Sequence, residues 1–379
     1  MNQRIQALKP YPMEALTARK AELHKLGKPV YDFGTGDPTV PTEPFIIDAL
    51  RNSVPTISQY PTVAGDQQFR ETCASYVKRR FGVTLDPESQ ILPTAGSKEA
   101  VFHFPLVFLD TDSNKTNVIY PTPGYPVYER GTLFANGTPC PVVLREDNGF
   151  VMNLDGVETQ TLEKTAILWL NSPHNPTGSV MSRSQLQHMV TIARQYGIII
   201  CSDECYGDIY FQQAPTSILQ CTTEGALAFF SLSKRSGMTG YRSGFIAGDA
   251  TLIARYRVNR ATMGVASPVF IQAAATAAWN DDEHVERRRK IFRERRDLIQ
   301  DFLRRKGLAH AGGDGTFFLW VKVPAGYTDF TYTEKLLEHG IVVSPGSFFG
   351  QGSERYIRLA LVPDLTRCHD ALEVWNQIQ

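Results

Sequence analysis

No two of the six cysteines stand in a CxxC spacing. Cys73, Cys140, Cys201, Cys205, Cys221 and Cys368 are scattered, several of them inside apolar runs. That argues against a metal site and, at this length, against a disulfide framework. It favours a reducing, cytoplasmic setting. No stretch approaches the ~18 consecutive apolar residues of a membrane span. The opening Met1-Asn2-Gln3-Arg4-Ile5 lacks the apolar block of a signal peptide. Neither sign of charge is in excess, with 39 Lys plus Arg against 39 Asp plus Glu. A nucleic-acid partner would ask for a basic field, which this balance does not supply. Local basic clusters such as Arg287-Arg288-Arg289-Lys290 alternate with acids and read as a solvated helix face. No GxGxxG follows the first strand, which removes the usual dinucleotide fingerprint. Internal repeats and low-complexity segments are also missing. Only about thirty residues precede the core pattern, too few for a helix-turn-helix module in front of a ligand sensor.

What is present is an ordinary globular composition, 42% apolar and 21% charged over 379 residues. At on the order of 100–200 residues per domain, two domains are expected. Residues 1–30 read as an N-terminal arm and a helix, Met13 to Leu26, closed by Gly27. Tyr31-Asp32 is a short strand entering the loop Gly34-Thr35-Gly36-Asp37-Pro38. From about 90 to 250, apolar strands alternate with helices. The strands are predicted near 90–94, 117–120, 138–144, 166–170, 197–201, 226–230 and 242–248. The fully apolar ones, such as Ala166-Ile167-Leu168-Trp169-Leu170, suit a mostly parallel sheet covered on both faces. After Pro268 the pattern changes to a long charged helix, Glu283 to Lys306, and to strands of a smaller α+β unit. Arg355 to Leu361 is expected to alternate inward and outward. The division expected is a large domain over 51–281 and a small one over 31–50 plus 282–379.

The chemistry centres on Ser231-Leu232-Ser233-Lys234. A lone lysine is ordinarily a solvated surface group. This one lies between two apolar runs, with hydroxyls just before it and Arg242 eight positions on. A lysine in a walled, dry place has a lowered pKa and attacks carbonyls. Hydroxyls and a guanidinium suit a phosphate. Together they point to a phosphorylated aldehyde, pyridoxal phosphate. A second phosphate signal is Ala95-Gly96-Ser97-Lys98, where a strand meets a helix start with its free N–H groups. Tyr125 follows a strand end on a proline-stiffened loop and is placed to stack on a flat ligand. Asn171 to Gly178 holds two prolines that would aim the Asn175 amide, and one X-Pro bond there is a candidate for cis. Asp203 lies at a strand end, the edge where open α/β sheets bind ligands.

These motifs, AGSKEA (95–100), SPHNPTG (172–178), SDECY (202–206), SLSKRSGMTGYRSG (231–244) and IRLAL (357–361), resemble those of the fold-type-I, class I/II pyridoxal-phosphate aminotransferases in order and spacing. The resemblance covers most of the chain. It implies a large domain with a mostly parallel seven-stranded sheet sandwiched by helices, and a small α+β domain. It implies that Lys234 binds the cofactor aldehyde and Asp203 pairs with the ring nitrogen. Asn175 and Tyr206 would serve the ring 3-oxygen, and Tyr125 would stack on the ring. Ser97, Lys98, Ser231, Ser233 and Arg242 would form the phosphate shell. Tyr60 would reach the phosphate of a neighbouring subunit, so a homodimer with shared sites is implied. Arg358, with Gly36 nearby and Asn175, would grip the substrate carboxylate. The implied partners are amino-acid and keto-acid substrates, glutamate among them.

Within the family, SDECYGDIYF, AAWNDDEHV, PYPMEAL and VVSPGS are most similar to the N-succinyl-LL-diaminopimelate aminotransferases of lysine biosynthesis. The chain has shorter loops at 144–165 and 212–226, and Gly237-Met238-Thr239 after the lysine. Alternatives are an LL-diaminopimelate, aspartate or aromatic aminotransferase, or a pyridoxal-phosphate C–S β-lyase.

Overall fold

The computed structural model describes residues 12–25 and 27–378, with side chains from residue 18 onward except 24. The arm expected ahead of the first helix, over residues 1–11, lies outside the described residues. The helix itself runs Pro12–Lys25. The described residues form three sheets. The strands are β1 (Tyr31–Asp32), β2 (Ile91–Thr94), β3 (Asn117–Thr122), β4 (Thr138–Val143), β5 (Thr165–Asn171), β6 (Ile199–Asp203), β7 (Ala226–Ser231) and β8 (Gly244–Gly248), followed by β9 (His310–Gly312), β10 (Phe318–Lys322), β11 (Ile341–Val342), β12 (Ser344–Pro345) and β13 (Tyr356–Ala360).

The large sheet has seven strands in the order β2-β8-β7-β6-β5-β3-β4. Only β8 runs antiparallel to its neighbours. Its middle strands are apolar throughout because both faces are covered. Leu168, Leu170, Ile200, Ala226, Ala228 and Phe230 enter one core. Ile167, Trp169, Cys201, Leu227 and Phe229 enter the other. This is the two-residue alternation of a strand, with an apolar layer on each side. Local chemistry ends the helices where the sequence says. Ser182 and Gln185 form a capping box at the start of Arg183–Tyr196, and Gly197 closes it at φ 60.

The smaller sheet has the order β12-β13-β10-β9, and β1 pairs with β11 in parallel. A third core gathers beneath it from Phe292, Ile299, Phe317, Leu319, Ile357 and Leu359. The expected alternation over 355–361 does not hold, since Tyr356 to Ala360 are all buried. Ile357 and Leu359 enter the core of the small sheet. On the other face Tyr356 stacks on Trp320, 5.3 Å between centroids and 11° between planes. Both residues belong to the core beside the large sheet, so that face meets protein instead of water.

The solvated reading of the 287–290 cluster also needs correction. Arg288 is 2% exposed, and Nη1 donates to the carbonyls of Val40 and Pro41 at 3.2 Å each. Arg288, Phe292, Arg295 and Ile299 recur at helical spacing on the buried stripe of Glu283–Arg305. Arg295 likewise donates to the Leu361 and Val362 carbonyls. Both arginines turn one guanidinium nitrogen, Nη1, to backbone carbonyls on the buried side of the helix.

Beneath the C-terminal ends of β6 and β7 lies a buried ion-pair network. Asp208 accepts from Arg235 Nε at 2.7 Å, Arg80 Nε at 3.0 Å and the Tyr76 hydroxyl at 2.9 Å. These cations hold the Asp208 carboxyl below its ordinary pKa despite burial. Replacing Asp208 with Ala leaves Arg235 buried without this partner, a loss of about 3–5 kcal/mol. Thermal unfolding of Asp208→Ala against wild type measures it; an unchanged melting temperature contradicts the assignment.

Candidate active site

Six parallel strands of the large sheet end on one edge. The loops after β2, β3, β5, β6 and β7 open there onto a cavity of about 340 Å³. Its lining includes Gly36, Ser97, Lys98, Tyr125, Asn175, Asp203, Tyr206, Ser231, Ser233, Lys234, Arg242 and Arg358. The candidate residues expected in this chain's own site are brought together here, and Tyr60, expected at the phosphate of a neighbouring subunit, is not among them. Tyr60 is fully exposed and lies outside the cavity of its own chain.

Strand register sets the centre. Asn171 pairs with Asp203 and Asp203 with Phe229, so β5 and β6 end level and β7 runs on to Ser231. Asn171 Nδ2 donates to the Asp203 carbonyl at 2.9 Å and to the Pro173 carbonyl at 3.2 Å. Its Oδ1 accepts from the Asn175 N–H at 2.9 Å. One amide therefore joins the two loops. The Ser172-Pro173 and Asn175-Pro176 bonds are both cis.

Asp203 is 5% exposed. Burial pushes its carboxyl upward; the Tyr128 hydroxyl and the Cys205 N–H, at 2.9 and 3.2 Å, favour the ionised form. Across the cavity Lys234 sits within a short helical turn, Leu232–Arg235, that the strand pattern does not announce. Its Nζ donates to the Gly36 carbonyl. Burial lowers its pKa to about 8, with the Asp37 carboxylate opposing.

The anion-facing end is built from backbone. Helix Ser97–Phe108 starts at Gly96 with no side-chain cap, so its first-turn N–H groups take no side-chain partner there. A Cβ at position 96 would stand 2.6 Å from Arg242 Nη2, and Gly96 has φ +76. Only glycine admits the guanidinium here. Arg242 is fixed by the carbonyls of Thr239 and Ala95, at 2.9 and 3.2 Å. Burial, then Arg242 and Arg130, lowers the pKa of Lys98, the mark of a place with surplus positive charge.

On the opposite side Arg358 rises from β13. Its Nη2 donates to the Gly34 carbonyl at 2.8 Å and Nη1 to Asn175 Oδ1 at 3.0 Å. The guanidinium lies over the rings of Phe318 and Phe349, 4.3 and 4.6 Å to the centroids. A Cβ on Gly36 would meet Phe318 at 2.9 Å, so that glycine keeps the approach open.

Sequence reasoning misses Tyr128, Asn171, Cys205 and Phe318. Cys205 sits inside a noted motif, and its Sγ lies 2.8 Å from Ser97 Oγ. Tyr128 stands three positions after Tyr125, a helical spacing that is legible in the chain. Phe318 carries no local sign, since an aromatic in a strand is ordinarily core. The set fits pyridoxal phosphate: an amine of lowered basicity, a carboxylate across from it, and a glycine-lined helix start with cations at one end.

Comparison with known proteins agrees with this geometry. Residues 28–373 match the family model for aminotransferase class I and II. The chain is 38% identical over 379 residues to an LL-diaminopimelate aminotransferase from Aquifex aeolicus, covering 98% of this chain and 97% of that one. Among solved structures it is similar to substrate-bound BacF from Bacillus subtilis, with a TM-score of 0.94, 27% identity, and coverage of 100% of this chain and 97% of that one. It is also similar to the aspartate aminotransferase from Thermus thermophilus with maleate, with a TM-score of 0.93, 26% identity, and coverage of 100% and 99%.

The Lys234 amine is mostly protonated below pH 8 and neutral above it. Only the neutral form attacks an aldehyde. The rate at which cofactor-free protein captures pyridoxal phosphate rises with pH through a midpoint of about 8. Stopped-flow absorbance reads this directly; a midpoint near the ordinary lysine value contradicts the buried, desolvated amine.

Proposed function

This chain belongs to the class I and II aminotransferase family, and from that premise we propose that it transfers an amino group between LL-diaminopimelate and a 2-oxo acid, with glutamate as the partner amino acid, in lysine biosynthesis. It is a pyridoxal-phosphate-dependent enzyme. The full-length likeness to LL-diaminopimelate aminotransferases supports the substrate. The motifs alone favour the N-succinylated relative; the whole-chain matches favour the unsubstituted one.

When bound, pyridoxal phosphate supplies the sink for the electron pair left as the substrate Cα–H bond breaks. The residues do the rest. Ser97, Lys98, Ser231, Ser233, Arg242 and the N-terminus of helix Ser97–Phe108 hold the phosphate. Tyr125 would lie against the ring, and Asn175 and Tyr206 would serve its 3-oxygen. Because Asn175 Oδ1 accepts from Arg358, its NH2 group is the donor left for a ligand. Asp203, ionised, would face the ring nitrogen and keep it cationic. Arg358 binds the α-carboxylate with a planar fork, pre-set by the Gly34 carbonyl and the two phenyl rings. Fixing the carboxylate turns the Cα–H bond toward Lys234. With its nitrogen free, the Lys234 amine would take the proton from Cα and return it as a general acid–base. Its lowered basicity suits that work near neutral pH. Tyr60, exposed on one subunit, completes the phosphate site of a second copy, so the working unit is a homodimer.

The single observation that carries amino transfer is Lys234, Asp203 and Arg358 lining one cavity. A panel of amino donors with 2-oxoglutarate tests the substrate. Turnover of LL-diaminopimelate is expected, with little of its N-succinyl form. Activity with aspartate but none with diaminopimelate sinks the substrate and leaves the class intact. Arg358→Lys lowers kcat/KM by about 10- to 100-fold, the worth of a lost charge-assisted hydrogen bond.

A further inference from the structure

We propose that Tyr128 is the positioning residue that keeps Asp203 ionised, through a hydroxyl held in place by an aromatic stack shared with Tyr125. Asp203 is enclosed at the end of β6, where burial favours the neutral acid. An ionised carboxylate there needs donors. From its own loop it receives the Cys205 N–H. From helix Val127–Phe134 it receives the Tyr128 hydroxyl at 2.9 Å, a buried O–H aimed at the carboxylate from a different element. The other titratable and charged groups lining the cavity with it are the Cys205 thiol, Tyr206, Lys234, Arg242, Lys98, Tyr125, Arg358 and Asp37.

The hydroxyl has little freedom. Tyr128 is fully buried, and its ring stacks on Trp169 at 5.2 Å and 19°. Trp169 projects from β5 into the core on that face of the sheet. Tyr125 meets the Tyr128 ring edge-on at 5.7 Å and 84°. One rigid set of rings thus fixes both the residue that lies against the cofactor and the donor to the carboxylate at its nitrogen. Burial and the neighbouring Asp203 charge push the phenol pKa well up, so Tyr128 stays a donor throughout the working pH range.

Loss of the donor destabilises the carboxylate relative to its acid. Asp203 then takes a larger share of the proton that belongs on the ring nitrogen. The cofactor becomes a weaker electron sink while its binding groups are untouched.

The test uses the holoenzyme with Tyr128→Phe. The variant is expected to fold and retain pyridoxal phosphate. Its kcat is expected to fall about 10- to 100-fold with KM little changed. The acid limb of its pH profile is expected to rise by about one unit. In the absence of substrate, NMR of isotope-labelled ring nitrogen is expected to move toward the unprotonated position. In an Asp203→Asn background the same change has no further effect. Should Tyr128→Phe not fold, a fluorinated tyrosine at 128, a stronger donor of the same shape, lowers the acid limb instead. An unmoved limb and nitrogen resonance, or effects that multiply in the double variant, overturn the proposal. It rests on Asp203 facing the ring nitrogen: a fully active Asp203→Asn would sink that assignment, whereas an impaired Asp203→Asn beside a fully active Tyr128→Phe sinks only the role of Tyr128.

Discussion

The buried pair between Asp208 and Arg235 is the constraint on which the site depends. Arg235 is the residue after Lys234, and Asp208 lies two residues beyond Tyr206 in the loop that begins at Asp203. Joining them fixes the loop after β6 to the turn after β7, directly below the cavity. Arg235 extends the tie with Nη1 on the Ala278 carbonyl at 2.7 Å and Nη2 on Asp282 at 2.6 Å. Its guanidinium also lies over Tyr76 and Trp279, at 5.1 and 4.9 Å. Lys234 and Asp203 must face one ligand from opposite sides within a fraction of an ångström, and loops alone would not hold them so.

Above that floor the site holds opposite charges in a poorly solvated space, and each is managed differently. Lys234 is left with a backbone carbonyl, that of Gly36, as its acceptor, so burial lowers its basicity. Asp203 is given donors that oppose the upward push of burial on its carboxyl. Arg358 keeps its charge by construction and is oriented by a carbonyl and two rings. The same three environments suit the proposed roles of nucleophile, ring partner and carboxylate clamp.

Much of this is legible in the chain itself. Apolar runs place the strands because both faces of the sheet are covered, and strand ends place Asp203, Asn175 and Lys234 on one edge. Gly96 announces the anion site because a helix start with no side chain leaves N–H groups open. What the sequence hides comes from packing at a distance. Arg288 looks solvated because its local neighbours are charged, yet its helix stripe turns it toward the loop at 40–41. Tyr356 to Ala360 lose their alternation because another core covers the second face of the small sheet. Phe318 and Tyr128 act through contacts with residues far away in sequence, which local patterns do not encode.

The central claim is that one bound pyridoxal phosphate is joined to the chain at Nζ of Lys234. Reductive trapping of the holoenzyme with borohydride, followed by peptide mass spectrometry, measures it most directly. The account predicts the cofactor mass on the peptide containing Lys234, and none on Lys98. Label on Lys98 or another lysine, or no label after incubation with the cofactor, would contradict it.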